Sequence, residues 1–202
     1  MLTIQKAQDW MHKTNQYIQD NKAYLTELDQ AIGDSDHGIN MSRGFQEVEN
    51  KVESASYDEV SALLKDVAMT LMSKVGGASG PLYGTAFLKM STAVKGNDTV
   101  DQDVMAAGLE AAAQGIQQRG KSTAGEKTMV DVWEPLASWW KEQDEISAEN
   151  LEAVAKEAME STKQMEATKG RASYLKEKSV GHIDPGSASS YYLFKALAEV
   201  LA

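Results

Sequence analysis

Helical periodicity is the feature of this sequence that most restricts its fold. From position 60 to 75 the apolar residues recur at intervals of three and four, which keeps them on one helix face for about four turns. They are Val60, Leu63, Leu64, Val67, Ala68, Leu71, Met72 and Val75. The spacing returns between Leu151 and Met165, where Ser147 is placed to cap the helix. No stretch alternates as a β-strand does, so the sequence predicts an all-α fold.

Weaker helical patterns cover most of the remaining chain. They predict helices at about residues 4–20, 22–32, 40–53, 81–94, 102–118, 129–142 and 187–201. Pro135 lies inside one of these and is expected to kink or split it, with the neighbouring tryptophans at 133, 139 and 140 in the core. The segment 168–187 is long for a simple turn, and loops of that length are commonly functional.

Composition limits the function classes. A chain of 202 residues suits one domain, here residues 1–202, and the net charge of -10 opposes binding to a nucleic acid backbone. The sequence contains no cysteine, which excludes disulfides, thiolate metal sites and a cysteine nucleophile. It shows neither a secretion signal nor a run of about 18 apolar residues that could span a membrane. We therefore expect a cytoplasmic protein that binds neither nucleic acid nor membrane.

Residues 115–122, GIQQRGKS, match the phosphate-loop pattern of nucleotide-binding proteins. Such a loop follows a β-strand and begins a helix. The residues before Gly115 read DVMAAGLEAAAQ, which is a helical pattern, and no suitable strand occurs elsewhere. We interpret the match as accidental and predict that Gly120 caps the C-terminus of this helix.

A cluster of aspartates lies in the stretch ELDQAIGDSDHGIN. Asp29, Asp34 and Asp36 would not share one face of an unbroken helix, because Asp34 would point about 140° away from Asp29. If the helix ends near Ile32 and Gly33 turns the chain, the three carboxylates can converge on Mg²⁺. The positions of Ile39 and Phe45 do not fit a calcium-binding EF-hand that begins at Asp34.

Helix capping is the alternative role for the aspartate-rich turn. Asp36 or Asn40 would simply cap the helix that follows, and spacing alone does not separate this role from metal binding.

A second candidate segment is rich in glycine. KVGGASGPLYGTAF contains Gly76, Gly77 and Gly80, and Pro81 stands where a helix is expected to begin. Free backbone amides and the Ser79 hydroxyl would suit an anion there. A third candidate, HIDPGSASS, forms a turn that leads directly into the last predicted helix.

Four motifs in order resemble one known family. LDQAIGDSDHGIN, GGASGPLYGT, GRASYL at 170–175 and HIDPGS are together similar to the nucleotide-binding L subunit of dihydroxyacetone kinases. The resemblance implies a closed barrel of about eight antiparallel helices with the nucleotide site at one end. Ser35 stands where the family often has glycine, which costs little unless the backbone there has positive φ.

The resemblance also implies roles for the matching residues. Asp29, Asp34 and Asp36 would bind two Mg²⁺ ions. ADP or ATP would be contacted by His37, Gly38, Ile39, Asn40, Ala78, Ser79, Gly120, Met129, Arg171, Asp184, Pro185 and Gly186. No catalytic side chain is expected beyond the metal site. The ions would offset the repulsion between the carboxylates and the phosphates, which is large when they share a small pocket.

The acceptor substrate is expected on another subunit. In the family, dihydroxyacetone is held covalently by a histidine of a separate K subunit, and His12, His37 and His182 are not convincing anchors here. We therefore expect a monomer that joins a hetero-complex as the phosphoryl donor. The chain resembles the branch in which bound ADP stays in place and is rephosphorylated by a protein of the phosphoenolpyruvate:sugar phosphotransferase system.

Two other functions stay open at this point. Fatty acid kinases have a related N-terminal domain, although their acidic motif usually continues with threonine where this chain has His37. A non-catalytic, nucleotide-loaded regulator of a transcription factor would use the same pocket, so the sequence does not separate it from a kinase subunit.

Overall fold

The computed structural model describes residues 1–97 and 99–202, most of which are helical. The α-helices are α1 (Ile4–Asp20), α2 (Lys22–Ile32), α3 (His37–Ser54), α4 (Val60–Lys74), α5 (Ser79–Ala93), α6 (Gln102–Gly120), α7 (Val130–Glu142), α8 (Ala148–Ser161) and α9 (Pro185–Leu201). Short 3₁₀ segments at Thr162–Gln164 and Arg171–Ser179 lie between α8 and α9. In this part of the chain the only β pairing is an isolated bridge between Leu2 and Val100. The all-α prediction is confirmed.

The helices other than α2 close into a ring. From α3 to α9 each helix packs against the next one along the chain, α9 packs against α1, and α1 packs against α3. Most connections are short, which makes chain neighbours antiparallel. Residues 162–184 form a longer connection between α8 and α9, and α9 ends at Leu201 near Leu2, beside the start of α1. The bridge from Leu2 to Val100 places the start of α1 beside the start of α6, so α1 runs opposite to both α9 and α3. The ring is therefore the antiparallel helical barrel expected from the resemblance, with α2 packed outside against α3 and α9.

Large side chains fill the interior of the barrel. Trp133 packs edge-on against Phe194, with ring centroids 4.8 Å apart, and against Tyr83 at 6.5 Å. Trp10 is fully buried and donates its indole N–H to the carbonyl oxygen of Leu193 at 2.8 Å, which ties α1 to α9. Of the tryptophans expected in the core, those at 133 and 140 are buried and the one at 139 is partly buried. Burial of these rings is a major source of stability.

Local details differ from the sequence prediction at α6 and α7. The chain leaves α6 at Lys121, which adopts φ 50° and acts as the C-cap, so Gly120 is the last helical residue rather than the cap. Pro135 does not split α7, which runs continuously from Val130 to Glu142. Gly115 lies inside α6, which agrees with the rejection of the phosphate loop.

None of the helices in the described part of the chain combines the length and the apolar character needed to cross a membrane.

Candidate anion and metal site at one end of the barrel

One end of the barrel holds a cavity, and we call this end the mouth. Because neighbouring helices alternate in direction, the N-termini of α3, α5, α7 and α9 meet there. His37, Ser79 and Pro185 begin three of these helices, Met129 immediately precedes the fourth, and all four residues line the cavity. The first amides of a helix have no partner within that helix, and each N-terminus carries about half a positive charge. The mouth is therefore suited to an anion.

Most residues predicted from the sequence to form the site do line this cavity. They are Asp29, Asp34, Asp36, His37, Asn40, Ala78, Ser79, Met129, Arg171, Asp184, Pro185 and Gly186. They come from segments more than 150 residues apart, since the lining extends from Asp29 to Gly186. The fold thus brings together the four motifs that were linked in the sequence only through the family resemblance.

The three aspartates form a compact cluster at the mouth. A carboxylate oxygen from each of Asp29, Asp34 and Asp36 lies within 4.8 Å of one from each of the others. The helix α2 ends at Ile32, as the sequence predicted, and Gly33 turns the chain. A Cβ atom at Gly33 would lie 1.9 Å from Oδ1 of Asp29. Only glycine therefore leaves room for the Asp29 carboxylate in this arrangement.

Asp29 also explains where α3 begins. Its buried carboxylate accepts hydrogen bonds through Oδ2 from the backbone N–H groups of Asp36, at 2.8 Å, and His37, at 3.0 Å. It therefore caps α3 from outside that helix, which starts at His37 instead of the predicted position 40. Asp36 occupies the N-cap position, but its side chain makes no capping hydrogen bond. Its carboxylate is left for another partner.

The turn that joins the aspartates carries backbone strain. Ser35 adopts φ 67°, in the left-handed region. A serine with positive φ is strained, and the cost relative to a relaxed backbone is about 1–2 kcal/mol. The strained turn lets Asp34 and Asp36, on either side of Ser35, both reach the carboxylate of Asp29.

The donor set fits a hard divalent cation. Within residues 1–97 and 99–202, neither Oδ1 of Asp29 nor the carboxylate of Asp36 accepts a hydrogen bond. Asp34 is paired through Oδ2 with Nη2 of Arg171 at 2.8 Å. Clustered carboxylate oxygens without donors repel one another, and Mg²⁺ prefers such ligands.

The glycine loop, residues 76–80, forms the next part of the wall. A Cβ atom at Gly76 would lie 2.7 Å from Oδ1 of Asn40, so glycine allows the loop to approach α3 closely. Gly77 has φ 65° with open space around its Cβ position, so its requirement for glycine is one of backbone conformation. The α5 helix starts at Ser79, two residues before the predicted start at Pro81.

A buried polar chain leads from the mouth into the barrel. Oγ of Ser79 lies 3.2 Å from Nδ1 of His37, and Nε2 of His37 lies 2.9 Å from Oγ of Ser189. The hydroxyl of Tyr83 continues the chain, 2.7 Å from Ser189. Burial lowers the pKa of His37 to about 4, although the nearby carboxylates of Asp29 and Asp36 raise it. The imidazole is therefore neutral near pH 7, and both of its nitrogens have hydroxyl partners.

Another part of the cavity wall is formed by Met129 and the turn 184–186. Asp184 caps α9 by accepting the N–H of Ser187 at 2.7 Å. Burial raises the pKa of Asp184 to about 6, although its hydrogen bonds with Ser187 lower it. The Ser187 hydroxyl donates to the carbonyl oxygen of Thr128 at 2.9 Å. This bond joins the start of α9 to the segment before α7.

Three residues predicted to contact nucleotide do not line the cavity. Gly38 is buried, and a Cβ atom there would lie 2.2 Å from the carbonyl oxygen of Lys22, which shows close packing of α3 on α2. Ile39 is exposed on the outer face of α3. Gly120 lies beside Leu82, which lines the cavity.

Lys127 also lines the cavity, although it was not among the residues predicted from the sequence. Its side chain is fully buried although lysine is almost always a surface residue, so no sequence signal pointed to it.

The fold and the site define a class: an all-α barrel whose mouth suits an anion accompanied by divalent cations. The chain belongs to the DAK2 domain family, whose profile matches residues 31–199.

Characterised relatives narrow the family assignment. The chain is 54% identical, over 203 residues and the full length of both chains, to the ADP-binding subunit DhaL of a PTS-dependent dihydroxyacetone kinase from Lactococcus lactis. It is 38% identical, over 94% of this chain and 93% of the relative, to the ADP-binding subunit DhaL of the PEP-dependent dihydroxyacetone kinase of Escherichia coli. These matches confirm the relationship to nucleotide-binding L subunits of the phosphotransferase-dependent type.

Solved structures confirm the fold. The dihydroxyacetone kinase from C. freundii, in complex with AMP-PNP and Mg²⁺, matches with a TM-score of 0.75 and 20% sequence identity. The match covers 98% of this chain and 33% of that enzyme, so the chain corresponds to about a third of the larger protein.

Proposed function

We propose that this chain is the ADP- and ATP-binding, phosphoryl-donating subunit of a phosphotransferase-dependent dihydroxyacetone kinase. The observation that carries the proposal is the aspartate cluster at a mouth where four helix N-termini converge. The names of the full-length relatives support it, since each is an ADP-binding subunit of such a kinase.

The residues present fit both cofactors. Asp29, Asp34 and Asp36 would hold two Mg²⁺ ions, and the amides of the glycine loop at the start of α5 would hold the phosphates. The bound ions would supply charge neutralisation for phosphoryl transfer. Gly38, Ile39 and Gly120 stay predicted nucleotide contacts, although they do not line the cavity.

The chain's own residues would position the phosphates and keep the site ordered. Asp29 fixes the start of α3, and Arg171 holds Asp34 through their ion pair. His37 is neutral and hydrogen-bonded to Ser79, so it orients the Ser79 hydroxyl at the start of α5 without adding charge. Positioning of this kind is the main protein contribution to phosphoryl transfer.

The acceptor is assigned to a K subunit, because the histidine that lines the cavity, His37, is not available for covalent attachment. Both nitrogens of His37 are engaged by hydroxyl groups. His12 is on the outer face of α1, paired with Glu49, and His182 is exposed and does not line the cavity. We propose that a phosphotransferase-system protein then rephosphorylates ADP in place.

The proposal treats residues 1–202 as one domain, acting as a monomer that joins its partners in the cytoplasm. One hydrophobic cluster extends from Leu2 to Val200, which supports a single core.

Reconstitution tests the proposal. The purified chain, a K subunit, a phosphotransferase-system phosphodonor and dihydroxyacetone are mixed with Mg²⁺, and triose phosphate is measured. We expect product without added ATP, with ADP and Mg²⁺ found in the protein as purified. Tight nucleotide binding with no transfer to any K subunit would instead favour the non-catalytic regulator.

A further inference from the structure

Lys127 combines three features that rarely occur together in a lysine. Its side chain is only 1% exposed, its backbone adopts φ 60°, and it lines the cavity at the mouth. Burial of an ammonium group is costly unless every N–H group is paired. A left-handed non-glycine residue is also strained, and strain of this kind is kept where the surrounding structure requires it.

The ammonium group of Lys127 is fully satisfied by backbone carbonyls. Nζ donates to the carbonyl oxygens of Thr162, at 2.6 Å, Met165, at 3.2 Å, and His182. Three acceptors match the three N–H groups of a charged lysine, whereas a neutral amine has only two. Thr162 is also the C-cap of α8, so the positive charge lies at the negative end of that helix.

These bonds connect the chain segments that support the part of the cavity wall formed by Met129 and the turn 184–186. The Lys127 side chain reaches from the segment before α7 to the end of α8 and to His182. Two further bonds reinforce the connection: the N–H of Gly181 donates to the carbonyl oxygen of Lys163 at 2.8 Å, and the N–H of Asp184 donates to the Thr162 hydroxyl at 3.1 Å. We call this bonded contact between Lys127, residues 162–165 and residues 181–184 the junction. It leads directly into the turn 184–186.

We propose that Lys127 is a positioning residue for the nucleotide: its ammonium group fixes the wall formed by Met129 and the turn 184–186 before the ligand arrives. The inference rests on the proposed function of the cavity. Without the ammonium group, the binding free energy of the nucleotide itself must order segments 162–165 and 181–184, which weakens affinity.

The test compares two lysines with the same backbone conformation. Lys121 also has positive φ, at 50°, but it is exposed and does not line the cavity. We expect Lys127→Met to bind MgADP about tenfold more weakly by calorimetry, equivalent to about 1.4 kcal/mol, while Lys121→Met binds as the wild type does. Equal affinities for the two variants would overturn the inference.

Hydrogen exchange separates a positioning role from general loss of structure. In nucleotide-free Lys127→Met, the amides of Gly181 and Asp184 should exchange faster than in the wild type. The amides of Leu2 and Val100, which pair at the opposite end of the barrel, should keep their protection. Uniformly faster exchange would mean that Lys127 supports the whole fold rather than this wall, and would count against the proposal.

A measurement on the wild-type protein covers the case in which Lys127→Met does not fold. Addition of MgADP should slow exchange at Gly181 and Asp184, and an unchanged rate would refute the coupling between the junction and the cavity. If the wild type binds no MgADP at all, the proposed function fails instead. The exchange rates of the nucleotide-free variants would then still decide whether Lys127 holds the junction.

Discussion

Removal of one carboxylate from the aspartate cluster should stabilise the metal-free protein while abolishing its response to magnesium. Asp36→Asn is the clearest change, because the Asp36 side chain makes no capping bond and no ion pair within the described residues. Asp34→Asn is less informative, since it also removes the ion pair with Arg171.

The magnitude follows from the spacing of the charges. Carboxylate oxygens within 4.8 Å of one another repel by about 1 kcal/mol at the dielectric constant of water and by about 3 kcal/mol at an effective value near 20. Asp36 is at least partly exposed, and of its two carboxylate neighbours Asp34 is already paired with Arg171, so the lower figure for a single pair applies. We expect Asp36→Asn to be about 1 kcal/mol more stable than the wild type in EDTA.

Urea unfolding with and without Mg²⁺ measures both effects. A ligand at about 100 times its Kd stabilises the native state by about 2.7 kcal/mol, so saturating Mg²⁺ and ADP should reverse the order of stability. Asp58→Asn removes an exposed carboxylate between α3 and α4, at the end of α3 away from the mouth, and controls for the net charge of -10. If Asp36→Asn is destabilised in EDTA, or if Mg²⁺ and ADP stabilise it as much as the wild type, the metal assignment is wrong.

Two further predictions concern strain and pH. Ser35→Gly should stabilise the fold by about 0.5–1 kcal/mol, because glycine adopts positive φ without strain. Gly77→Ala places a side chain at nearly the same φ, with no neighbour near its Cβ position, and should destabilise the fold by about 1 kcal/mol. Chemical denaturation that gives the same sign for both changes would contradict the strain argument. Burial lowers the pKa of His37 to about 4, compared with about 6.5 in the unfolded chain, so between these values the unfolded state binds one proton that the native state does not. The free energy of unfolding should therefore fall by about 3 kcal/mol as the pH is lowered from about 6.5 to 4. Asp184, with its pKa raised to about 6, titrates with the opposite sign over an overlapping range, so the measured quantity is the difference in unfolding free energy between the wild type and His37→Gln across that range. A difference that does not vary with pH would show that His37 is not held neutral by the fold.

Local sequence pattern was sufficient to predict the helices but not all of their starts. The periodic segment that begins at Val60 forms α4 from Val60 to Lys74, and Ser147 caps α8 through the N–H of Asn150 as expected. By contrast, α3 begins at His37 because the carboxylate of Asp29, on the preceding helix, accepts its first amides. A cap supplied from another helix leaves no signal at the start of the helix that it caps.

The part of the candidate site that contains glycine and aspartate residues could be predicted from the sequence. The part that depends on tertiary packing could not. Gly33 correctly indicated a helix end that lets the aspartates converge. The left-handed backbone conformation of Ser35 and Lys127 could not be predicted from the sequence, because neither residue type favours positive φ. Burial of Lys127 depends on carbonyls from residues 162–182, which only the closed barrel brings to it.

The convergence of four helix N-termini makes the attraction of the mouth for anions resistant to mutation. The partial charges belong to peptide groups, so they neither titrate nor disappear when a side chain is replaced. A lineage can therefore exchange the aspartates, the serine or the arginine and acquire different chemistry, while the barrel continues to draw phosphate-like groups to the same end. Only an alteration of the up-and-down order of the helices would erase that preference.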